Sequence, residues 1–203
     1  MMTFCTPCAL WYVAEAIVKQ GADFVYTDEV TFEGDIDHLT VYHFKPDYML
    51  DNLRSNNYIC HFFVVQKSIV EKAGGFRKEF DGAQDYDFIF RCTENAGEVL
   101  HVPEILYHWR THKASTADNP ASKMYAFEAG KRAIEAHLER TGTKGEVSHT
   151  QDLGFYRVKY PVQGNLWCLL SYQTKTRKRL FRPVWKCWRR IPVIRILKLY
   201  RGE

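Results

Sequence analysis

No stretch of this chain approaches the roughly 18 apolar residues that a membrane-spanning helix needs. The N-terminus carries no basic segment ahead of an apolar one, so a secretory leader is not expected. No internal repeat is visible, which sets aside repeat architectures. Cysteine in metal-ligand spacing is scarce. Of six cysteines (Cys5, Cys8, Cys60, Cys92, Cys168 and Cys187), only Cys5 and Cys8 stand close, with two residues between them, and no second such pair follows. That argues for free thiols over a zinc site. Acidic residues are nearly absent from the C-terminal end. Residues 175–203 carry 11 Lys or Arg against one Glu, a charge of +10, which leaves −6 for residues 1–174 of the formal +4. What remains is ordinary: 203 residues, 46% hydrophobic and 15% aromatic, enough for one domain with a real core.

The apolar pattern alternates between helices and short buried strands. Thr6-Pro7 reads as the cap and first residue of a helix in which Leu10, Val13, Ala14 and Ile17 share a face and which Gly21 stops. Residues 23–26 read as a buried strand ending in Thr27-Asp28-Glu29. Residues 31–57 read as polar and irregular around Phe44-Lys45-Pro46, and residues 61–65 as a second strand. Ser68 opens a short helix that Gly74-Gly75 ends. Another runs from about Gln84 to Asn95. Strands at 98–102 and 105–109 are split by Pro103. A long helix follows Asn119-Pro120, with Met124, Phe127, Lys131, Ile134 and Leu138 on one face. An edge strand is expected within 153–160. The pattern is α/β, and its polar residues gather at strand tips, where open α/β sheets keep their sites.

Two segments carry the chemistry. In Phe80-Asp-Gly-Ala-Gln-Asp-Tyr-Asp87, two acids stand behind a Gly-Ala hinge at a helix start, where the free amides and the helix dipole favour negative charge. In Tyr107-His-Trp-Arg-Thr-His112, a His and Arg cluster closes a strand, and such groups meet phosphates or metals. His108 alternates with Trp109 and reads either as a core residue or as part of that cluster. Tyr107 and Trp109 are candidates for stacking on sugar rings.

With these residues in view, the chain resembles glycosyltransferase family 2, and within it the bacterial enzymes that extend cell-surface polysaccharides. Five stretches carry the resemblance in order: Thr6-Pro-Cys-Ala-Leu10, Asp23-Phe-Val-Tyr-Thr-Asp-Glu29, Phe44-Lys-Pro46, Gly82-Ala-Gln-Asp-Tyr-Asp87 and Tyr107-His-Trp-Arg-Thr-His112. It covers about residues 6–165 and implies the acceptor-side, C-terminal half of a GT-A domain, a Rossmann-like α/β fold. It implies Asp85 as the general base that deprotonates the acceptor hydroxyl in an inverting transfer. Asp28, Glu29, Asp87 and Trp109 would line the acceptor site. Arg110 and His112 would lie near the donor diphosphate, with His112 a possible metal ligand. The implied partners are a nucleotide-sugar donor and a saccharide or lipid-linked acceptor, with no nucleic acid. The implied cofactor is a divalent metal, Mn or Mg. The resemblance implies a cytoplasmic protein, peripheral to the inner face of the cell membrane if its basic tail binds there.

The resemblance breaks at both ends. The family's metal-binding Asp-x-Asp should precede Thr6-Pro7, where Met1-Met-Thr-Phe-Cys5 stands. The nucleotide-binding half is therefore expected to be missing, and this chain alone to bind no metal and to be inactive. Suitable codons for Leu166–Lys175, read one base over, spell Pro-Leu-Val-Ser-Ile-Ile-Ile-Pro-Asn-Lys, the opening of a further domain in many relatives. Residues 1–5 and 166–203 are accordingly expected to be frameshift products flanking a core of residues 6–165. Two rival readings stay open: a non-catalytic saccharide-binding module, and a lipid-surface adaptor that uses the basic residues of 175–201.

Overall fold

The computed structural model describes residues 3–111 and 124–161. One compact unit spans Met1–Lys159. A second, Tyr160–Glu203, lies almost wholly outside the described residues, and with it the expectations for the basic tail. Among the described residues no helix is long and apolar enough to cross a membrane.

The first unit is α/β, organised around one strand. β2 (Phe24–Phe32) is buried along all nine residues. It pairs in parallel with β5 (Val99–Arg110) on one side. On the other it pairs antiparallel with β4 (Phe63–Val65) over its first half and with β3 (Leu39–His43) over its second. Helices cover both faces, as burial of a whole strand requires. α1 (Ala9–Gln20) packs with Val25, Val102 and Leu106. The larger core gathers Phe24 and Tyr26 with α4 (Gln84–Thr93) and α5 (Met124–Arg140). Between them in the chain lie α2 (Leu50–Leu53) and α3 (Lys67–Ala73). A separate two-stranded sheet, β6 (Glu146–His149) with β7 (Tyr156–Lys159), follows α5.

Several expectations change. β2 does not end at Asp28-Glu29 but carries both through its interior, because β3 supplies the pairing that the polar stretch after Glu33 concealed. Pro103 does not split β5. Register moves from Thr27↔Val102 to Asp28↔Ile105, so Pro103 and Glu104 bulge outward, exposed and without partners on β2. On α1 the buried face is Ala9, Val13 and Ala16, whereas Leu10 and Ile17 are exposed. Small side chains let the helix lie close to the sheet. Met124 on α5 is likewise exposed, and the core face there is Ala126, Ala129, Gly130, Ala133, Ile134, His137 and Leu138. Phe4–Cys5 forms β1 and pairs antiparallel with His108 and Tyr107 of β5.

The α5–β7 contact depends on a glycine. A Cβ at Gly130 would overlap the Tyr156 hydroxyl, which donates to the Phe127 carbonyl at 2.9 Å. Gly130→Ala is expected to cost about 1–3 kcal/mol of stability, although alanine is the better helix former. In a Tyr156→Phe background that cost should shrink, because the overlapping oxygen is gone. Urea denaturation of the four proteins checks this, and equal costs in both backgrounds would contradict it.

Candidate functional site

Asp85 enters the first turn of α4 behind a tight corner. Gly82 has φ +93°, and a Cβ there would meet the α5 backbone at Ala126 at 2.9 Å. The Gln84 side chain accepts the Gly82 N–H at 3.0 Å, which holds the corner. No side chain caps α4, so its first-turn amides face an acid-rich start. Asp85 is half-buried and accepts a hydrogen bond from the Asn57 amide at 2.9 Å.

From Asn57 a chain of polar groups runs to the centre of the sheet. The Cys60 N–H donates to Asn57 Oδ1 at 3.3 Å, and Cys60 Sγ lies 2.8 Å from His61 Nδ1. The His61 ring is stacked on Tyr107 and Trp109, with centroids 5.5 and 5.2 Å away. Its Nδ1 stands 3.9 Å from Glu29 Oε2. Lys45 is the hub. Its ammonium donates to the carbonyls of Ile59 (2.7 Å) and His61 and stands 3.5 Å from Glu29 Oε2. Its backbone N–H donates to Asp28 Oδ1 at 2.9 Å. The same oxygen lies 2.8 Å from His101 Nε2.

Burial governs the charges here. It pushes the Glu29 carboxyl above its ordinary value, although Lys45 and His61 pull it back. It lowers the Lys45 ammonium, although Glu29 opposes it. Burial also pushes the Cys60 thiol well up, and the carboxylates of Asp85 and Glu29 add to that, so Cys60 stands between the two acids. Glu29 Oε2 is buried and makes no hydrogen bond.

This chain of groups opens into a cavity of about 490 Å³. Glu29, Lys45, Asn57 and Cys60 form its polar floor, and Trp109, Tyr42, Phe44, Tyr58 and Phe155 supply aromatic walls. That is an ordinary size for a small-molecule site, and the mix of apolar walls with a few convergent polar groups suits a hydroxyl-rich ring.

The sequence candidates therefore divide. Asp28, Glu29 and Trp109 converge with Asp85 on the relay or the cavity. Asp87 does not. It is fully buried, with Arg77 Nε at 3.0 Å and Arg91 Nε at 2.9 Å on its oxygens, so it ties α4 to the segment before it. Arg110 lies over the Phe32 ring at 4.9 Å. His108 sits on β5 with its Nδ1 buried and without a hydrogen bond. His112 lies outside the described residues. Among the described residues no group of three or more His, Cys, Asp or Glu side chains is arranged to hold a metal ion.

No family model matches the chain. The chain is similar to an O-antigen biosynthesis protein. That protein, RfbC of Myxococcus xanthus, is 38% identical over 178 residues, which are 87% of this chain and 14% of the relative. An uncharacterized protein of Sinorhizobium fredii, y4gI, is also 38% identical over 178 residues, 86% of this chain and 19% of the relative. The chain thus spans less than a fifth of the length of either. Among solved structures, the crystal structure of S. aureus TarS 1-349 in complex with UDP-GlcNAc superposes with a TM-score of 0.49 at 14% identity, over 67% of this chain and 40% of that one.

Sequence reasoning missed Lys45, Asn57, Cys60, His61 and His101 as site residues. Phe44-Lys45-Pro46 reads as a fixed point, but nothing in the sequence says that its lysine is buried. Its burial is the signal, and only the fold supplies it.

Two predictions follow from the charges. Replacing Lys45 by Met leaves Glu29 buried without its cation and should cost about 3–5 kcal/mol. The cost should be smaller in a Glu29→Gln background. Chemical denaturation of the four proteins reads the coupling, and additivity would break the pair. For Asp87, burial pushes the carboxyl up, but hydrogen bonds from Arg77 and Arg91 outweigh it and hold the carboxyl below its ordinary value. A depressed carboxyl stabilises the fold above its unfolded value and loses that contribution as pH falls through the folded one. Stability should therefore fall below about pH 4. Asp87→Asn should be less stable at neutral pH and show a shallower acid slope in thermal melts. An unchanged slope would assign the acid loss elsewhere.

Proposed function

We propose that this unit is the acceptor side of a family 2 type, inverting glycosyltransferase that works in cell-surface polysaccharide synthesis. The observation that carries the reading is the chain of polar contacts from Asp85 through Asn57, Cys60 and His61 toward Glu29, of which Asn57, Cys60 and Glu29 line an aromatic-walled cavity. The name of the myxococcal relative, an O-antigen biosynthesis protein, supports the pathway.

In this reading an acceptor sugar stacks on Trp109. Asp85, oriented by the Asn57 amide, takes the proton from an acceptor hydroxyl as that oxygen attacks the anomeric carbon of a nucleotide-sugar. The new C–O bond forms on the face opposite the departing nucleoside diphosphate, so the anomeric centre inverts. Asp28 and His101 support the floor, and Glu29 accepts from a second acceptor hydroxyl. The donor would be held by a nucleotide-binding part, with its divalent metal, that this unit does not supply. The chain alone is accordingly expected to show little or no transfer.

A chimera tests the reading. Residues 3–161 replace the matching segment of the myxococcal relative in cells lacking that protein. O-antigen synthesis should return with the wild-type segment and should drop about 10²–10⁴-fold with Asp85→Asn. Full restoration by Asp85→Asn, in a protein expressed to the same level, would leave a saccharide-binding module as the better account.

A further inference from the structure

The cavity has more aromatic surface than one sugar ring can use, and among the described residues part of it is exposed. Tyr42 and Phe44 close β3 and lead out of it on alternate positions, so their side chains share a face. Their rings are nearly parallel, 11° apart, with centroids 6.1 Å apart. Tyr42 is 50% and Phe44 72% exposed. Phe155, on the turn before β7, is also exposed and lines the same cavity. Trp109 lies deeper, against His61.

The floor points to what these rings would receive. Glu29 is 4% exposed and lines the cavity, with its Oε2 facing the Lys45 ammonium at 3.5 Å. A carboxylate in a cavity lining is an acceptor, and a sugar hydroxyl is a matching donor. Lys45 is committed to two carbonyls and to Glu29. Burial, with Lys45 adding to it, lowers the His43 imidazole. Among the described residues, Lys45 and His43 are the basic groups lining the cavity, so the lining favours a neutral sugar over an anionic one.

We propose that this cavity is the inner end of an extended subsite for a neutral oligosaccharide. One ring sits on Trp109 and donates a hydroxyl to Glu29, and the next ring lies across Phe44 and Tyr42 on the rim. The inference rests on the glycosyltransferase reading and narrows it: the acceptor is a growing chain of at least two neutral sugars, and β3 is its platform. The side chains on the platform set length preference without touching the proton transfer at Asp85.

Titration calorimetry on the whole chain tests this with glucose, galactose, mannose, rhamnose and N-acetylglucosamine. Each is offered as the methyl glycoside and as linear di- and trisaccharides, with glucuronic acid oligomers alongside. For at least one neutral sugar, affinity should rise from one unit to two. Phe44→Ala and Tyr42→Ala, both at exposed positions, should each remove about three- to tenfold of affinity for the longer ligand. The methyl glycoside should lose less affinity than the longer ligand does, and the uronic acid oligomers should bind more weakly. Binding of methyl glycosides with no gain on lengthening, or a gain that survives Phe44→Ala, would overturn the extended subsite and leave the glycosyltransferase reading standing. Binding of no saccharide at all would overturn both.

Discussion

Two neighbouring carboxylates, Asp28 and Glu29, lie inside the most buried strand of the fold, and the site depends on how they are neutralised. Moving unpaired charges into a core costs several kcal/mol each. Lys45 meets most of that cost. It reaches from the segment after β3, gives its backbone amide to Asp28, and sets its ammonium beside Glu29 and two carbonyls. His101, from the neighbouring parallel strand, takes the other approach to Asp28. The position of the 44–46 segment, the path of residues 57–62 and the rim of the cavity all follow from that one lysine.

A second charged cluster shows the contrast between structure and site. Asp87 is met by two guanidinium groups, and Glu94 is bound to His137 at 2.7 Å and to Arg140. His137 is fully buried. Its Nε2 faces Arg54 Nε at 3.2 Å, so Nδ1 carries the proton and donates to Glu94. Burial raises both Asp87 and Glu94, yet their partners win and hold both below the usual carboxylate range. Around Glu29 burial wins instead, and acid and lysine both shift toward their neutral forms. One cluster is saturated with partners and fastens helices together. The other leaves Glu29 Oε2 without a hydrogen bond and lines a cavity.

Much of this was legible in the chain. The corner at Gly82-Ala83 followed by acids marked the start of α4, and Asp85 sits there. The β and α alternation marked the α/β class. What was not legible depended on long-range partners. The polar residues after Tyr26 looked like a loop because nothing local reveals that β3 returns to pair with Glu29 and Val30. Pro103 looked like a break because proline removes a ladder donor, but a two-residue bulge absorbs it. On α1, leucine and isoleucine at helical spacing suggested the buried face. Close approach to the sheet selected alanine and valine instead. Asp87 and Asp85, two apart on one helix, were indistinguishable by type. The helix turns them in different directions, one toward Asn57 and the other toward two arginines.

The unequal satisfaction of the two clusters also bears on why the polar relay is retained. A core built for stability alone would replace Glu29 and Lys45 with apolar residues of similar volume, a change that is often neutral or stabilising. A carboxylate kept in a central strand beside a lysine is costly by itself. In the proposed reading that cost is offset when an acceptor hydroxyl donates to the carboxylate and rings such as Trp109 exclude water. At the other end of the relay the Asn57 amide orients the Asp85 carboxylate, which in the proposed reading is a base positioned ahead of its acceptor. In that reading, stability given up at the floor of the cavity is recovered on binding.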